Sequence, residues 1–200
     1  MHAYDARTAL VVVDLQNDFA DPAGSLSVAG GDAIVPVVNE AVDAARLAGA
    51  LVAWTQDWHP PSTPHFQKDG GIWPVHCVRD TWGAELHPGL VADGPVVRKG
   101  ANGEDGYSGF TMREPVSGET IATELESILR EHGIERVVVC GLATDYCVMA
   151  TALDAARHGF ETLVLADAIS AVDLQPGDGA RAIEEMAAAG VSIVAARSAA

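Results

Sequence analysis

The chain has 200 residues, 48% of them hydrophobic, and its 28 acidic and 12 basic side chains give a formal net charge of -16. This length and composition are typical of one folded domain spanning residues 1–200, and they exclude an intrinsically disordered chain. The negative charge repels phosphate backbones and anionic lipids, so nucleic acid and membrane surfaces are not expected partners.

The cysteines and the first residues bear on the cellular compartment. Three cysteines, an odd number, argue against a disulfide framework and favour a reducing environment. Residues 1–10 lack the charged-then-apolar layout of a secretory signal, and the apolar run Ala9–Val13 is too short to span a bilayer. We therefore expect a cytoplasmic protein in which a free thiol is available for chemistry.

Strand and helix patterns alternate along the chain. The strand candidates are short β-branched runs, namely Thr8–Val13, Ala50–Thr55, Pro95–Arg98, Arg136–Cys140, Glu161–Ala166 and Val191–Val194. The helix candidates are about Asp32–Ala48, Thr120–His132, Asp145–His158 and Pro176–Ala189, each followed directly by a glycine, which is typical of a helix end. Unbroken apolar runs such as Leu10–Val13 suit strands that are buried on both faces. The pattern predicts an α/β fold with an open, mostly parallel, doubly wound sheet.

A long irregular stretch, Gln56–Asp93, interrupts this alternation and contains four histidines and three tryptophans. A loop of this length inside a compact domain is usually functional. The first strand runs into residues 14–19, which lack the Gly-rich turn of dinucleotide-binding folds. A nucleotide-binding function is therefore disfavoured.

Three reactive side chains follow the ends of predicted strands. Asp14 follows the first strand, Lys99 the third, and Cys147 lies in the turn after the fourth. Sites in open α/β sheets form beyond the carboxyl ends of the strands, so we expect these side chains to meet. An N-cap at Thr144 or Asp145 would place Cys147 in the first turn of a helix, where the helix dipole and the Lys99 ammonium would favour the thiolate.

Each of these residues also has an ordinary explanation. A lone cysteine is most often a buried structural residue, and we keep that interpretation for Cys140 and Cys77. An aspartate after a strand often caps a loop, and a lysine is usually solvated. The combination of the three residue types at one sheet edge favours a nucleophilic site, in which Asp14 exchanges protons with the thiol and the leaving group.

A second cluster falls in the irregular stretch. Asp57 and His59 are two residues apart, so they point to the same side of an extended segment, and His65 and His76 follow. One carboxylate and three imidazoles suit a single divalent metal ion, either Zn, Mn or Fe. The spacing alone is equally compatible with histidines that make surface hydrogen bonds.

Together these segments resemble the isochorismatase-like hydrolase superfamily and, within it, the nicotinamidase/pyrazinamidase family. The resemblance runs over essentially the whole chain, through residues 14–19, 57–59, 73–77, 99–100, 107–110 and 141–148. It implies a three-layer α/β/α fold whose six strands lie in the order 3-2-1-4-5-6. It also implies a cis peptide bond at Leu142-Ala143.

The resemblance also implies roles for the site residues. The matching positions are Asp14, Lys99 and Cys147 for the catalytic triad; the backbone N–H groups of Ala143 and Cys147 for the oxyanion; Phe19, Trp73 and Tyr107 for the aromatic pocket; and Asp57, His59, His65 and His76 for the metal. In this family the metal binds the pyridine nitrogen of the substrate and orients it. Tyr146 stands where some relatives carry histidine.

The resemblance predicts an amidohydrolase that converts nicotinamide and pyrazinamide-like analogues to the acid and ammonia, through a thioester on Cys147, as in NAD salvage. Two other enzymes remain as alternatives. One is a cysteine amidase for another small amide, such as a carbamoyl or ureido compound, and the other is a metal-hydroxide hydrolase in which Cys147 is incidental. A non-catalytic metal-binding module would not need the triad. The sequence is compatible with a homo-oligomer.

Overall fold

The computed structural model describes residues 4–196. Its strands are β1 (Thr8–Val13), β2 (Leu51–Asp57), β3 (Val96–Lys99), β4 (Thr111–Arg113), β5 (Thr120–Ala122), β6 (Arg136–Leu142), β7 (Glu161–Ser170) and β8 (Ser192–Val194). Its α-helices are α1 (Asn17–Ala20), α2 (Val35–Leu47), α3 (Leu125–Glu131), α4 (Met149–Arg157) and α5 (Asp178–Ala188). Six strands form one parallel sheet in the order β3-β2-β1-β6-β7-β8. Counted within this sheet alone, the order is the predicted 3-2-1-4-5-6.

The apolar run of β1 explains the three layers, because every residue of this central strand is buried. Leu10 and Val12 face a core that α2 covers, whereas Val11 and Val13 face a second core on the other side of the sheet. Buried side chains of α3, α4 and α5 fill that second core. Helices therefore cover both faces of the sheet, which confirms the α/β/α prediction.

The prediction that the four helices end at a glycine is confirmed. Gly49, Gly133, Gly159 and Gly190 have φ angles of 76°, 65°, 83° and 90°, in the left-handed region that glycine adopts without a steric cost. Each lies where the chain leaves α2, α3, α4 or α5 and turns back toward the sheet.

The predicted helix Thr120–His132 begins too early. Residues 120–122 form β5, which pairs with β4 as an antiparallel hairpin outside the main sheet. The Thr123 hydroxyl accepts a hydrogen bond from the Leu125 N–H (3.1 Å), and α3 begins only there. The short strands have no visible sequence period, because three residues are too few to establish one.

The predicted helix Asp145–His158 also begins differently. Thr144–Val148 forms a single π-helical turn, and the α-helix α4 follows it. Neither Thr144 nor Asp145 acts as the predicted N-cap, since Ala143 holds that position without a side-chain hydrogen bond. The Asp145 carboxylate instead accepts hydrogen bonds from the N–H groups of Val172 and Asp173 (2.9 and 2.8 Å), so it fixes the loop after β7.

The parallel register places the functional side chains at one edge of the sheet. Asp57 and Lys99 are partners across β2 and β3, and Asp14 follows β1 directly.

No helix within residues 4–196 is long and apolar enough to cross a bilayer.

Candidate active site

The thiol, carboxylate and ammonium predicted from the sequence lie together in the interior. Lys99 Nζ is 2.8 Å from Asp14 Oδ2 and 3.8 Å from Cys147 Sγ, and all three residues are buried. The Thr55 hydroxyl donates a hydrogen bond to Asp14 Oδ1 (2.6 Å) and accepts one from the Asp14 N–H (3.2 Å). The Asp14 side chain is therefore held on both of its oxygens.

Burial decides which of these groups are charged. It raises the pKa of the Cys147 thiol well above the usual value, and the Lys99 ammonium offsets only part of this effect. Burial likewise raises the pKa of Asp14, against the opposing charge of Lys99. Burial opposes the charge on Lys99 as well, but Asp14 and Asp57 outweigh it and raise the pKa of Lys99 well above the usual value. The resting site thus favours a thiol, and the expected thiolate is not supported.

Lys99 also joins this group to the second cluster. Its ammonium lies 2.7 Å from Asp57 Oδ1, so one cation contacts two carboxylates. Burial by itself would raise the pKa of Asp57, but Lys99 and the neighbouring histidines hold it well below the usual range. Gln16 fixes the Asp57 backbone, since its side chain accepts from the Asp57 N–H (2.8 Å) and donates to the Asp57 carbonyl (2.7 Å).

The three predicted histidine ligands lie side by side. One nitrogen from each of His59, His65 and His76 can be chosen so that all three atoms lie within 4.8 Å of one another. Asp57 Oδ2 is 3.8 Å from His59 Nε2 and 4.0 Å from His76 Nε2. Among the residues that the structure describes, neither buried ring nitrogen of His59 has a hydrogen-bond partner. A buried polar group without a partner is costly, and a metal ion at this point would satisfy it, so the residues fit a metal.

The other two histidines each use one ring nitrogen and leave the other for a ligand. His76 Nδ1 is 2.7 Å from the Pro74 carbonyl, and His65 Nδ1 is 2.7 Å from Asp105 Oδ1. Both acceptors require a proton on Nδ1, which leaves Nε2 with its lone pair. Burial lowers the pKa of His76 to about 4, so the neutral imidazole that binds metals is favoured there.

Aromatic side chains form a pocket above the thiol. Phe19, Trp73, Tyr107, Tyr146 and Cys147 all line it. Trp73 Nε1 donates a hydrogen bond to the Tyr107 hydroxyl (3.0 Å), and the ring of Tyr146 lies 5.0 Å from that of Trp73 and 5.2 Å from that of Tyr107. The thiol therefore lies in a pocket whose lining is rich in aromatic rings.

The turn that carries Cys147 also lines this pocket. The Leu142-Ala143 peptide bond is cis, as the resemblance implied. Ala143 lies at the start of the π-helical turn, and its carbonyl accepts from the N–H groups of Tyr146 and Val148 (3.1 Å each). Ala143 and Cys147 thus both line the pocket.

Three residues of the site were not predicted from the sequence, namely Gln16, Thr55 and Asp105, and Tyr146 was noted there without a role. Gln16 lies within the segment 14–19 that carried the resemblance, and Thr55 ends the predicted second strand, so position alone could have drawn attention to both. Asp105 gave no signal, because its partner lies far away in the chain.

Comparisons with known proteins identify the family of this chain. The chain matches the Isochorismatase domain over residues 8–198. It is 40% identical to the nicotinamidase of Escherichia coli (strain K12), over 92% of this chain and 93% of that protein. It is similar to the crystal structure of the pyrazinamidase of Pyrococcus horikoshii in complex with zinc, with 45% identity and a TM-score of 0.84, over 94% of this chain and 99% of that one. It is also similar to that of PnC1 from L. infantum in complex with nicotinate, with 37% identity and a TM-score of 0.87, over 98% of this chain and 96% of that one. The chain therefore belongs to the isochorismatase family and, within it, to the nicotinamidase/pyrazinamidase branch.

Proposed function

We propose that this protein hydrolyses nicotinamide, and pyrazinamide-like analogues, to the corresponding acid and ammonia. The observation that carries the proposal is the Lys99 ammonium, which contacts the Asp14–Cys147 group on one side and the carboxylate of the histidine cluster on the other. The relatives named nicotinamidase and pyrazinamidase, and the related structure that holds nicotinate, support a small aromatic carboxamide as the substrate.

One divalent metal ion would be held by Asp57, His59, His65 and His76. The zinc in the Pyrococcus horikoshii relative and the carboxylate–imidazole donor set support Zn, with Mn or Fe as the other candidates. When bound, the ion would act as a Lewis acid toward the pyridine nitrogen of the substrate, and this interaction would orient the substrate ring. The three free cysteines, all within the described residues, support the expectation of a reducing cytoplasm.

The first half of the reaction forms a thioester. Asp14 takes the proton of the Cys147 thiol while the sulfur bonds to the carboxamide carbon, and the N–H groups of Ala143 and Cys147 hold the oxyanion. The C–N bond then breaks, and Asp14 gives its proton to the leaving nitrogen, which departs as ammonia. The raised pKa of Asp14 suits both proton transfers, because its acid and base forms are closer in energy.

The second half of the reaction returns the enzyme to its starting state. Asp14 takes a proton from a water molecule as the water oxygen attacks the thioester carbon. The C–S bond breaks, the acid leaves, and Asp14 returns the proton to the Cys147 sulfur. Lys99 remains charged throughout, since its raised pKa keeps the proton in place, and it balances Asp14 whenever that carboxylate is ionised.

Ammonia release from nicotinamide by the purified protein tests the proposal. We expect turnover that a metal chelator abolishes and zinc restores, and the Cys147→Ala variant should lose at least about a hundredfold in rate, since it lacks the nucleophile. Far-UV circular dichroism and metal content should match those of the unchanged protein.

Two outcomes would contradict the proposal. Retention of most of the rate by Cys147→Ala would favour a metal-hydroxide hydrolase over the thioester route. Release of ammonia from a carbamoyl or ureido compound, but not from nicotinamide, would show that the substrate is another small amide.

A further inference from the structure

A carboxylate from outside the histidine-bearing loop contacts one of the three clustered imidazoles. Asp105 Oδ1 lies 2.7 Å from His65 Nδ1, and Asp105 Oδ2 lies 2.7 Å from Arg113 Nη2 on β4. The exposure of the side chains rises along this chain of contacts, from 6% for His65 through 28% for Asp105 to 63% for Arg113. The three residues connect the interior of the site to the surface of the β4–β5 hairpin.

Backbone hydrogen bonds hold Asp105 in position to contact both His65 and Arg113. The Asp105 N–H donates to the Arg113 carbonyl (2.9 Å), and the Arg113 N–H donates to the Asp105 carbonyl (2.5 Å). The Gly106 N–H adds a hydrogen bond to Asp105 Oδ1 (2.9 Å). Two backbone hydrogen bonds thus fix Asp105 relative to β4, and the Gly106 N–H and the Arg113 side chain each contact one oxygen of its carboxylate.

The contact has a chemical consequence for His65. A neutral imidazole carries its proton on one nitrogen only, and a carboxylate next to Nδ1 selects the tautomer with the proton there. The lone pair is then on Nε2, the atom that is left for a metal. Such an outer carboxylate also fixes the ring plane and raises the basicity of the ligand nitrogen.

The simpler explanation is an ordinary surface ion pair. A pair that involves an exposed arginine is worth about 1 kcal/mol or less, and it would have no effect on the histidine cluster. This explanation accounts for Arg113 but not for the other carboxylate oxygen, which is directed at a buried imidazole.

We propose that Asp105 is a positioning residue that orients His65 as a metal ligand, and that Arg113 makes metal affinity depend on the β4–β5 hairpin. This rests on the metal site of the proposed function, but it goes further, because it assigns a role to residues outside the ligand set.

Zinc affinity of the metal-free full-length protein, measured by competition with a chromophoric chelator, tests the proposal. We expect Asp105→Ala to bind zinc about 10–100-fold more weakly, in the range found for outer partners of metal ligands. Asp105→Asn should lose less, since its amide oxygen still accepts the Nδ1 proton, and Arg113→Gln should lose only a few-fold. Glu119→Ala, which removes a charge of the same sign from an exposed position on the same hairpin, is the matched control and should bind zinc normally.

The tautomer of the His65 imidazole provides a second measurement. In ¹⁵N NMR spectra of the metal-free protein, His65 should be the Nδ1-protonated tautomer, and Asp105→Ala should shift it toward a mixture. Unchanged zinc affinity and an unchanged His65 tautomer in Asp105→Ala would overturn the proposal. If that variant does not fold, Asp105→Asn decides, and equal affinity of Asp105→Asn and Glu119→Ala would overturn it.

The outcomes separate this inference from the proposed function. Zinc binding that depends on Asp105 in a protein without activity on nicotinamide would support the inference and contradict the substrate. A failure of the unchanged protein to bind zinc would overturn the inference and the metal site together.

Discussion

Lys99 compensates the charge of two acidic residues, because its buried ammonium contacts the buried carboxylates of Asp14 and Asp57. Its side chain is only 1% exposed, and those of Asp14 and Asp57 are 1% and 7% exposed. Buried charges of one sign are tolerated only when an opposite charge compensates them. Lys99 therefore stabilises the fold as well as the arrangement of the site.

Removal of this charge should destabilise the protein. Lys99→Met leaves two buried carboxylates without their partner, so we expect the free energy of unfolding at pH 7 to fall by about 3–5 kcal/mol. The loss should shrink toward pH 5, because without Lys99 the folded-state pKa values of both carboxyls rise and protonation removes the buried charges. Urea unfolding at the two pH values measures this effect.

The matched control for that measurement is Lys68→Met. Lys68 pairs with Asp69 at 2.7 Å, but its side chain is 45% exposed, so its loss should cost about 1 kcal/mol or less. Equal effects of the two substitutions would show that the Lys99 contacts contribute no more than a surface ion pair.

Asp14 determines the expected pH dependence of activity. The mechanism requires its ionised form, and burial raises its pKa above the usual value of about 4. The ratio kcat/KM should therefore fall as the pH drops through the raised pKa, with a midpoint above 4, and remain steady above it until another group titrates. Steady-state kinetics measures this acidic fall of kcat/KM, provided that the metal content is checked at each pH and kept constant. A midpoint at or below 4 would indicate that Asp14 is not the proton acceptor.

At the scale of the elements, the turn after β3 determines the room available to His59. Gly100 has φ 75°, and a Cβ atom there would lie 2.6 Å from His59 Nδ1. Gly103, three residues later, has φ 92°, but the nearest atom to its added Cβ would be Thr63 Oγ1 at 3.8 Å. The two glycines share the left-handed backbone and differ in what a side chain would meet.

Gly100→Ala and Gly103→Ala therefore form a matched pair. Each should cost about 1–2 kcal/mol for the backbone conformation. Only Gly100→Ala should also displace His59 and weaken zinc binding, by at least about tenfold. Thermal melting and chelator competition measure the two effects separately. Equal zinc affinities in the two variants would show that His59 does not depend on the space beside Gly100.

The elements that the sequence predicted well are those with long apolar patterns. The runs of β1 and β6 are buried on both faces, and that burial is what their unbroken hydrophobicity reflects. The hairpin β4–β5 and the π-helical turn before α4 were missed, because their geometry depends on pairing and on contacts with distant segments.

For the site, the sequence predicted which residues lie together but not their protonation states or their outer partners. Asp14, Lys99 and Cys147 could be placed together because each lies at or after the end of a strand in a parallel sheet. The spacing of the histidines left a metal site and surface hydrogen bonds equally possible, and only the family resemblance implied that they share a metal. The protonation state of Cys147 was not accessible, since burial outweighs the nearby ammonium. The partner of His65 could not be found either, because Asp105 approaches only once the hairpin is formed.

At the scale of the whole molecule, the order of the strands has a consequence for folding. β1 is hydrogen-bonded to β2 on one side and to β6 on the other, with Thr8 beside Arg136, so the centre of the sheet joins distant parts of the chain. Asp14 and Cys147 follow β1 and β6, and Asp57 and Lys99 end β2 and β3, so these side chains meet only when the four strands are paired. Pairings of this kind are slow to form, because long loops must close before any contact stabilises them. Asp14, Lys99 and Cys147 can therefore come together only once β1, β2, β3 and β6 have paired. A nascent or partly unfolded chain would lack this nucleophilic site, although its four metal ligands all lie within residues 57–76.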